Sequence, residues 1–313
     1  MTRTMKGVLT AAAALLAAGC DLAEVSTAPG EDVVVVEAVL RTDRPRQEVL
    51  LHRALQGRFS GSVPGAQVVV TGPDGQAHAL VETTGCFRID PEYQESDPLD
   101  FRGSCYASPE FDVGWVVPGG TYDLRVDTPD GRVIRGRTHV PHDFAVPSIP
   151  VTEGPAGCSL APNTGFTLLW TRAEGAATYV ADLRINGLSN RLPGIGAPDP
   201  LELRGLAVSE TDTTIVFPSE FGVFERFNYP AELLKAIENG FPGGVSIRLA
   251  LAAADRNWVN SMRGGNFNPS GLIRISTVVG DGVGVFGSLH LKPFIILVGN
   301  TPSIPRCGVP GGA

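Results

Sequence analysis

Short runs of β-branched residues and alternating apolar and polar residues recur along the chain and predict strands. The first is the apolar run VVVVEAVL at 33–40, which is short for a helix and rich in strand-forming residues. Alternating segments at 66–70 and 122–127 each lead into a Pro-Asp-Gly turn, at 73–75 and 129–131. Proline presets the first corner of such a turn and glycine accepts a positive φ. The pattern predicts two antiparallel hairpins.

The second half of the chain repeats the strand pattern and adds one helix. Strands are predicted at 166–170, 177–185, 213–217, 245–253 and 294–298. A short helix is predicted between Pro230 and Gly240, because proline is favoured at the start of a helix and glycine just past its end. The strand ending in Trp170, followed by an Ala-x-x-Tyr strand, resembles the early strands of fibronectin type III domains.

Together these elements predict an all-β, mainly antiparallel fold with two β-sandwich-like domains and one short helix in the second. Four prolines between 141 and 155 mark the connection between the domains. The predicted division is a lipoprotein signal peptide at 1–19, a tether at 20–32, an Ig-like or carboxypeptidase-regulatory-like sandwich at 33–140, a linker at 141–157, a fibronectin III-like β domain at 158–307 and a flexible tail at 308–313.

The N-terminus has the three parts of a secretory signal: Arg3 and Lys6, an apolar run at 8–18, and small residues before Cys20. The apolar run is shorter than the ~20 residues that span a bilayer. We therefore predict cleavage before Cys20 and lipidation of its thiol, with acyl chains that contribute about 0.8 kcal/mol per buried methylene. The alternative is an ordinary cleaved signal in which Cys20 has no special role.

The remaining cysteines, Cys86, Cys105, Cys158 and Cys307, are even in number, as expected for disulfides in an exported chain. Three pairings are possible. The domain division favours Cys86 with Cys105 and Cys158 with Cys307, because each pair then lies within one domain. Loop entropy gives on the order of 3 kcal/mol for the first and about 5 kcal/mol for the second. No two of these cysteines have C-x-x-C spacing, so no metal site is predicted.

Charge argues against nucleic acid as a partner. The full chain has a net charge of −8, and removal of residues 1–19 leaves 23 basic and 33 acidic residues, a net charge of −10. Such a surface repels phosphate backbones, and no cluster of lysine and arginine offsets it.

The glycine-rich segment 280–287 does not fit a phosphate-binding loop, because Ser288-Leu289 stands where a Lys-Ser/Thr pair is needed. We expect a turn or bulge there, with Val283, Val285 and Phe286 packing inward.

Other candidate chemistry is weak. His139 and His142 flank Pro141, which argues against a regular helix and favours a solvated pair over a metal site. The acidic stretch 90–100 lacks the spacing of a known calcium loop and is predicted to be a surface loop. No G-x-S-x-G or H-E-x-x-H motif is present. The sequence predicts no enzyme activity and no cofactor.

Trp258 is the one candidate ligand-binding residue. Trp170 lies in an apolar strand and is expected in the core, whereas Trp258 lies in the polar stretch 255–268 and is expected to be exposed. An exposed indole face suits the apolar face of a sugar.

Motifs in order along the chain resemble a known family. They are the lipidation motif at Cys20, Gly-Ala-x-Val-x-Val at 65–70, Gly-x-Thr-Tyr-x-Leu-x-Val at 119–126 and the glycine-rich segment 280–288. This order is similar to the uncharacterised lipoprotein family labelled domain of unknown function 4249. The resemblance implies an extracytoplasmic lipoprotein, often of the Gram-negative outer membrane, that serves as an accessory to a TonB-dependent transporter. It implies no activity, and the disulfide pairs do not depend on it.

The functional expectation is a non-enzymatic, membrane-anchored lipoprotein that acts as a binding or accessory module for an outer-membrane protein partner. One alternative is a glycan-binding surface lipoprotein that uses Trp258. The other is a hydrolase without a recognisable motif, for which the abundance of acidic residues is the sole indication.

Overall fold

The computed structural model of the chain describes residues 32–55, 58–84, 86, 103–150, 157–206, 211–221, 229–263, 275–299 and 304–308. The strands of the N-terminal half are β1 (Asp32–Arg41), β2 (Glu48–Leu55), β3 (Arg58–Ser62), β4 (Gln67–Thr71), β5 (Ala77–Thr83), β6 (Ser104–Ala107), β7 (Thr121–Asp127) and β8 (Val133–His139). Those of the C-terminal half are β9 (Gly157–Leu160), β10 (Phe166–Leu169), β11 (Thr178–Asn186), β12 (Leu201–Leu206), β13 (Thr214–Phe217), β14 (Ser246–Ala254), β15 (Val278–Gly280) and β16 (Gly282–Val298).

These strands form one long sheet and one short one. Fourteen of them join in the order β12-β11-β14-β16-β1-β2-β6-β5-β4-β7-β8-β15, with β3 beside β2 and β9 beside β16. Strands β10 and β13 pair separately. Most neighbours are antiparallel, and the predicted hairpins β4–β5 and β7–β8 are present. The all-β, mainly antiparallel fold is confirmed.

The 17-residue strand β16 belongs to both halves of the sheet. Its first part runs parallel to β1, from Val34 opposite Gly282 to Arg41 opposite Leu289. Its second part runs antiparallel to β14, from Ala254 opposite Leu289 to Ser246 opposite Leu297. The strand therefore changes its long partner at Leu289, and the first strand of the fold pairs with the last.

The glycine-rich segment begins β16 and lies against β1. Gly284 has φ +133°, and a Cβ there would collide with the carbonyl oxygen of Val36. Phe286 is fully buried as predicted, whereas Val285 is half-buried. The prediction for Val283 was wrong, because alternation along β16 places its side chain outward with 44% exposed.

Two hydrophobic cores lie along the sheet. The first contains residues of β1, β2, β4, β7 and β8, together with Val278 and Phe286 from the C-terminal end of the chain. The second contains residues of β11, β14 and the end of β16, together with Phe144 and Ile149 from the predicted linker. Val278 and Phe286 thus return to the first core, and the described part of the linker packs into the second.

Both predicted disulfides are present. Cys86 bonds to Cys105 on β6, and Cys158 on β9 bonds to Cys307, with Cα–Cα distances of 5.4 and 5.0 Å. Disulfides persist in oxidising compartments, so these bonds indicate an extracytoplasmic location. Cys20 lies outside the described residues, as do the acidic stretch 90–100 and the signal segment.

The predicted helix is α1 (Ala231–Ile237), which follows Pro230 and buries Leu233 and Ile237. A second helix, α2 (Arg256–Arg263), was not predicted. Its first turn is capped by Asp255, whose Oδ1 accepts a hydrogen bond from the Trp258 backbone N–H at 2.8 Å. Neither described helix has the length and apolar character needed to cross a membrane.

A histidine joins the two cores on the inner face of β16. His290 Nδ1 lies 2.9 Å from Thr42 Oγ1, and its Nε2 lies 2.9 Å from Asp143 Oδ1. Lys292 Nζ is 2.7 Å from the same carboxylate oxygen, and the ring of Phe144 meets His290 edge-on. The side chain of His290 is buried, and this burial lowers its pKa from the usual 6.5 against the opposing effect of Asp143.

We expect the free energy of unfolding to decrease as the pH falls below 6.5. Because the pKa of His290 is lower in the folded state than in the unfolded state, the unfolded chain binds a proton at a higher pH than the folded chain does. The stability that neutral His290 contributes is therefore fully present above the unfolded-state pKa and is lost as the pH falls through the folded-state pKa. Urea unfolding at about pH 8 and about pH 5 measures this difference. His290→Gln should reduce the difference, whereas His142→Gln, at an exposed histidine, should leave it unchanged. If the wild-type protein and both variants show the same dependence of unfolding free energy on pH, His290 is not the source of that dependence.

Candidate ligand-binding cleft

Strand alternation gives the long sheet an outer face with small side chains at its centre. On β14, Ile247, Leu249 and Leu251 enter the second core, so Ala250 and Ala252 face outward. Across the sheet, Ala252 lies opposite both Val180 of β11 and Leu291 of β16. This row forms a shallow apolar floor on the face that is turned away from the two main cores.

Helix α2 covers one end of that floor. Gly287 of β16 makes the approach possible, because a Cβ there would lie 2.9 Å from the Trp258 backbone nitrogen. Trp258 packs against a small third cluster that contains Ala252, Ala254, Leu289 and Leu291. Trp258 is half-buried, so the expectation that its side chain is exposed was wrong: one side of the indole packs on the sheet.

Between α2 and the β1–β2 turn lies a cleft of about 110 Å³, which we call the Trp258 cleft. Its apolar lining consists of Val39, Val180, Ala252, Trp258, Leu289 and Leu291. Its polar lining consists of Arg41, Arg44, Arg46, Gln47, Glu48, Asp182 and Arg204. Four cations and two carboxylates therefore surround an apolar floor, although the chain as a whole is acidic.

The arginines are held in place by neighbouring groups. Arg41 donates from Nε and Nη2 to the two carboxylate oxygens of Asp43, at 3.0 and 2.9 Å. Arg204 donates from Nε to Asp182 at 2.8 Å, and Arg46 donates from Nε to the Ser108 carbonyl at 3.0 Å. The two parallel bonds of Arg41 fix the orientation of its guanidinium group more firmly than its charge alone would.

Gln47 fixes the turn that carries three of these arginines. Its side chain is almost fully buried; its Oε1 accepts from the Arg41 N–H at 2.9 Å, and its Nε2 donates to the carbonyls of Arg41 and Arg44 at 2.9 and 3.0 Å. These bonds give the rim of the cleft a defined shape. Burial lowers the pKa of Arg44, and the nearby charge of Arg41 lowers it further.

Beneath α2, a buried polar network links three elements. Asp255 Oδ2 accepts from the Thr138 hydroxyl of β8 at 2.6 Å, and Asp255 Oδ1 accepts from the Ser288 N–H of β16 at 3.1 Å. Burial raises the pKa of this carboxyl, although its hydrogen bonds oppose the shift. Because Asp255 also caps α2, the network fixes the helix that carries Trp258.

The other residues considered in the sequence lie away from the cleft. Trp170 is buried as expected, and Trp115 stacks on His78 with ring centroids 4.1 Å apart. The rings of His139 and His142 are 5.7 Å apart. Within the described ranges, no group of three or more His, Cys, Asp or Glu side chains could hold a metal ion.

Sequence reasoning missed the arginines of the cleft. Arg41, Arg44 and Arg46 occupy a turn of six residues, and that local density is the one signal that could have indicated them. Their approach to Arg204, Trp258 and Leu291 depends on the pairing of β16 with both β1 and β14, which no local pattern contains.

Comparisons with known proteins assign no family. No family model matches the chain, and no curated protein matches it in sequence. One similar solved structure is a protein from Legionella pneumophila that belongs to the family labelled domain of unknown function 4785. It is 12% identical to this chain, with a TM-score of 0.21. The comparison covers 70% of this chain and 51%, about half, of that protein. The fibronectin(III)-like modules of CbhA from Clostridium thermocellum are 9% identical, with a TM-score of 0.21, over 85% of this chain and 93% of theirs.

At these TM-scores neither structure supports an argument about the function of this chain. The resemblance to the family labelled domain of unknown function 4249 is not confirmed.

We expect Gly287→Ala to displace α2 and to change the environment of Trp258. The added methyl would lie 2.9 Å from a backbone nitrogen, which cannot move as a flexible side chain can. The variant should lose about 1–3 kcal/mol of unfolding free energy and show altered tryptophan emission. Gly61→Ala is the control, because nothing lies within 4 Å of a Cβ at that strand position. Equal emission spectra and stabilities for both variants would contradict the close packing of α2.

Proposed function

We propose that this protein is a non-enzymatic extracytoplasmic lipoprotein that binds a ligand in the Trp258 cleft. The observation that carries the proposal is the cleft itself, which has a volume of about 110 Å³, an apolar floor and four arginines in its lining. Ligand sites are commonly concave and apolar, with a few fixed polar groups that orient the ligand.

The fixed geometry of the cleft supports a binding role. The floor is built from paired strands, Gln47 holds the arginine-bearing turn, and Asp255 holds the helix that carries Trp258. A preformed site loses less conformational freedom on binding than one that must first become ordered.

We further propose that lipid on Cys20 anchors the protein in a Gram-negative outer membrane. The eleven residues between Cys20 and Asp32 can span at most roughly 40 Å, so the folded body would stay near the membrane surface. A lipid-anchored binding protein in that position could act as an accessory to a TonB-dependent transporter.

Glycan binding is the second candidate function. Trp258 lines the cleft beside apolar side chains, and arginine and carboxylate groups lie within the same site. A sugar presents an apolar face and several hydroxyl groups, which such a combination can bind. The hydrolase alternative has no comparable observation in its favour within the described residues.

Filling the cleft tests the binding proposal. The purified full chain would be screened against sugars, peptides and small metabolites by calorimetry, and Ala252→Leu is expected to weaken the resulting interactions at least about tenfold. Ala252 is 4% exposed, so the larger side chain should occupy the floor and cost about 1–3 kcal/mol of stability. Ser246→Leu, on the outer face of the same strand but outside the cleft, is the control. Ligands that bind both variants equally would refute the cleft as the binding site.

Mass spectrometry tests the anchor. Membrane-extracted protein should carry the mass of acyl chains, and Cys20→Ala should abolish both that mass and membrane retention. Reduction should add about four mass units, as two disulfides require. An unlipidated wild-type protein would overturn the proposed anchor.

A further inference from the structure

We infer that the Trp258 cleft selects a small organic anion, with its anionic group at the arginines of the β1–β2 turn and a compact apolar body on the leucine and alanine floor. This inference rests on the proposed binding function and specifies the class of ligand. The shared chemistry is a single carboxylate or phosphate attached to an apolar group.

The charge of the cleft lining favours an anion. The lining contains Arg41, Arg44, Arg46 and Arg204 against Glu48 and Asp182, so it has a local net charge of +2 in a chain whose net charge is −8. The ion pair of Arg41 with Asp43 reduces but does not reverse that excess. A positive cleft on an acidic protein attracts anions to one place and repels them elsewhere.

The arrangement of the charges gives the site a direction. Arg41, Arg44 and Arg46 lie together at the end of β1 and in the following turn, whereas Arg204 on β12 is already paired with Asp182. The apolar floor lies between these two sides. An amphipathic anion would therefore place its charge at the turn and its body over Ala252 and Leu291.

Donor capacity supports the same orientation. A guanidinium group has five N–H donors. Arg41 uses its Nε and one Nη2 donor toward Asp43, and Arg46 uses its Nε toward Ser108, which leaves N–H groups on both side chains within the described structure. Arginine pairs with carboxylate and phosphate groups through two parallel hydrogen bonds, so the turn offers a matching surface.

The size of the cleft limits the ligand. The cleft has a volume of about 110 Å³ and six apolar side chains in its lining, so a single ring or short chain is the apolar body that we expect there. Because the floor is apolar, an inorganic anion alone would leave that surface uncovered and would gain less on binding than an anion with an attached ring or chain.

An isosteric pair of probes tests the inference by calorimetry on the full chain. Phenylacetate carries a carboxylate on a compact ring, and phenylacetamide is the uncharged equivalent. We expect phenylacetate to bind at least about tenfold more tightly, with an affinity that falls as salt is added. Phenyl phosphate tests phosphate as the anionic group. Acetate tests an anion without an apolar body, and glucose tests a neutral sugar.

Two substitutions of Arg44 distinguish the effect of its charge on binding from an effect on folding. Arg44→Gln should remove most of the preference for phenylacetate over phenylacetamide, whereas Arg44→Lys should retain it. Arg248→Gln is the matched control, because Arg248 lies exposed on the outer face of β14 but does not line the cleft. A preference that persists when Arg41, Arg44 and Arg46 are all replaced by Gln would overturn the assignment of the anion to this turn.

The outcomes distinguish this inference from the proposed function. Equal binding of phenylacetate and phenylacetamide, with both lost in Ala252→Leu, would overturn the anion preference and leave the cleft as a binding site. Tighter binding of glucose than of either anion would also overturn it and would favour the glycan alternative. If none of the probes binds, the inference is rejected. If the broad screen yields no ligand whose binding is weakened by Ala252→Leu, the proposed function itself is rejected.

Discussion

The hydrogen bonds that β16 forms with β1 and β14 hold the molecule together as one sheet. Residues 282–289 pair with the first strand of the fold, and residues 289–297 pair with a strand of the second core. Leu289 belongs to both ladders, opposite Arg41 on one side and Ala254 on the other. The Trp258 cleft lies at this crossing, so its floor and its cationic rim depend on the same register.

The inner face of the crossing is polar, and its groups are satisfied. His290 contacts Thr42 and Asp143, and Ser288 contacts Thr138 and Asp255. Buried polar groups are costly unless they have partners, and a fully bonded network favours one arrangement over its alternatives. Alternation along β16 then places Leu289 and Leu291 on the opposite face, in the cleft. The two polar networks therefore restrict how the apolar floor can move.

Local sequence was sufficient for the elements but not for their assembly. The strand β1, the two Pro-Asp-Gly hairpins, helix α1 and both disulfide pairs were predicted, because each leaves a signal in adjacent residues or in cysteine number and domain position. The parallel pairing of β1 with β16 joins residues about 250 positions apart and leaves no local signal. Helix α2 was missed because its polar first turn depends on the Asp255 cap and on Gly287 beneath it. Trp258 was identified from its polar neighbours, but the arginines beside it come from two other segments, the β1–β2 turn and β12.

The alanines of β14 allow one strand to fill the second core on its inner face and to leave room for α2 and the cleft on its outer face. Ala250, Ala252 and Ala254 alternate with Ile247, Leu249 and Leu251, so large side chains fill the second core while small ones face α2 and the cleft. Alanine is a poorer strand former than valine or isoleucine, and a β-branched residue at these positions would bury more apolar surface. It would also occupy the space between Val180 and Leu291, which lie on either side of Ala252. The outer face of β14 thus carries small side chains that pack beneath α2 and the cleft, and the inner face supplies the large side chains of the second core.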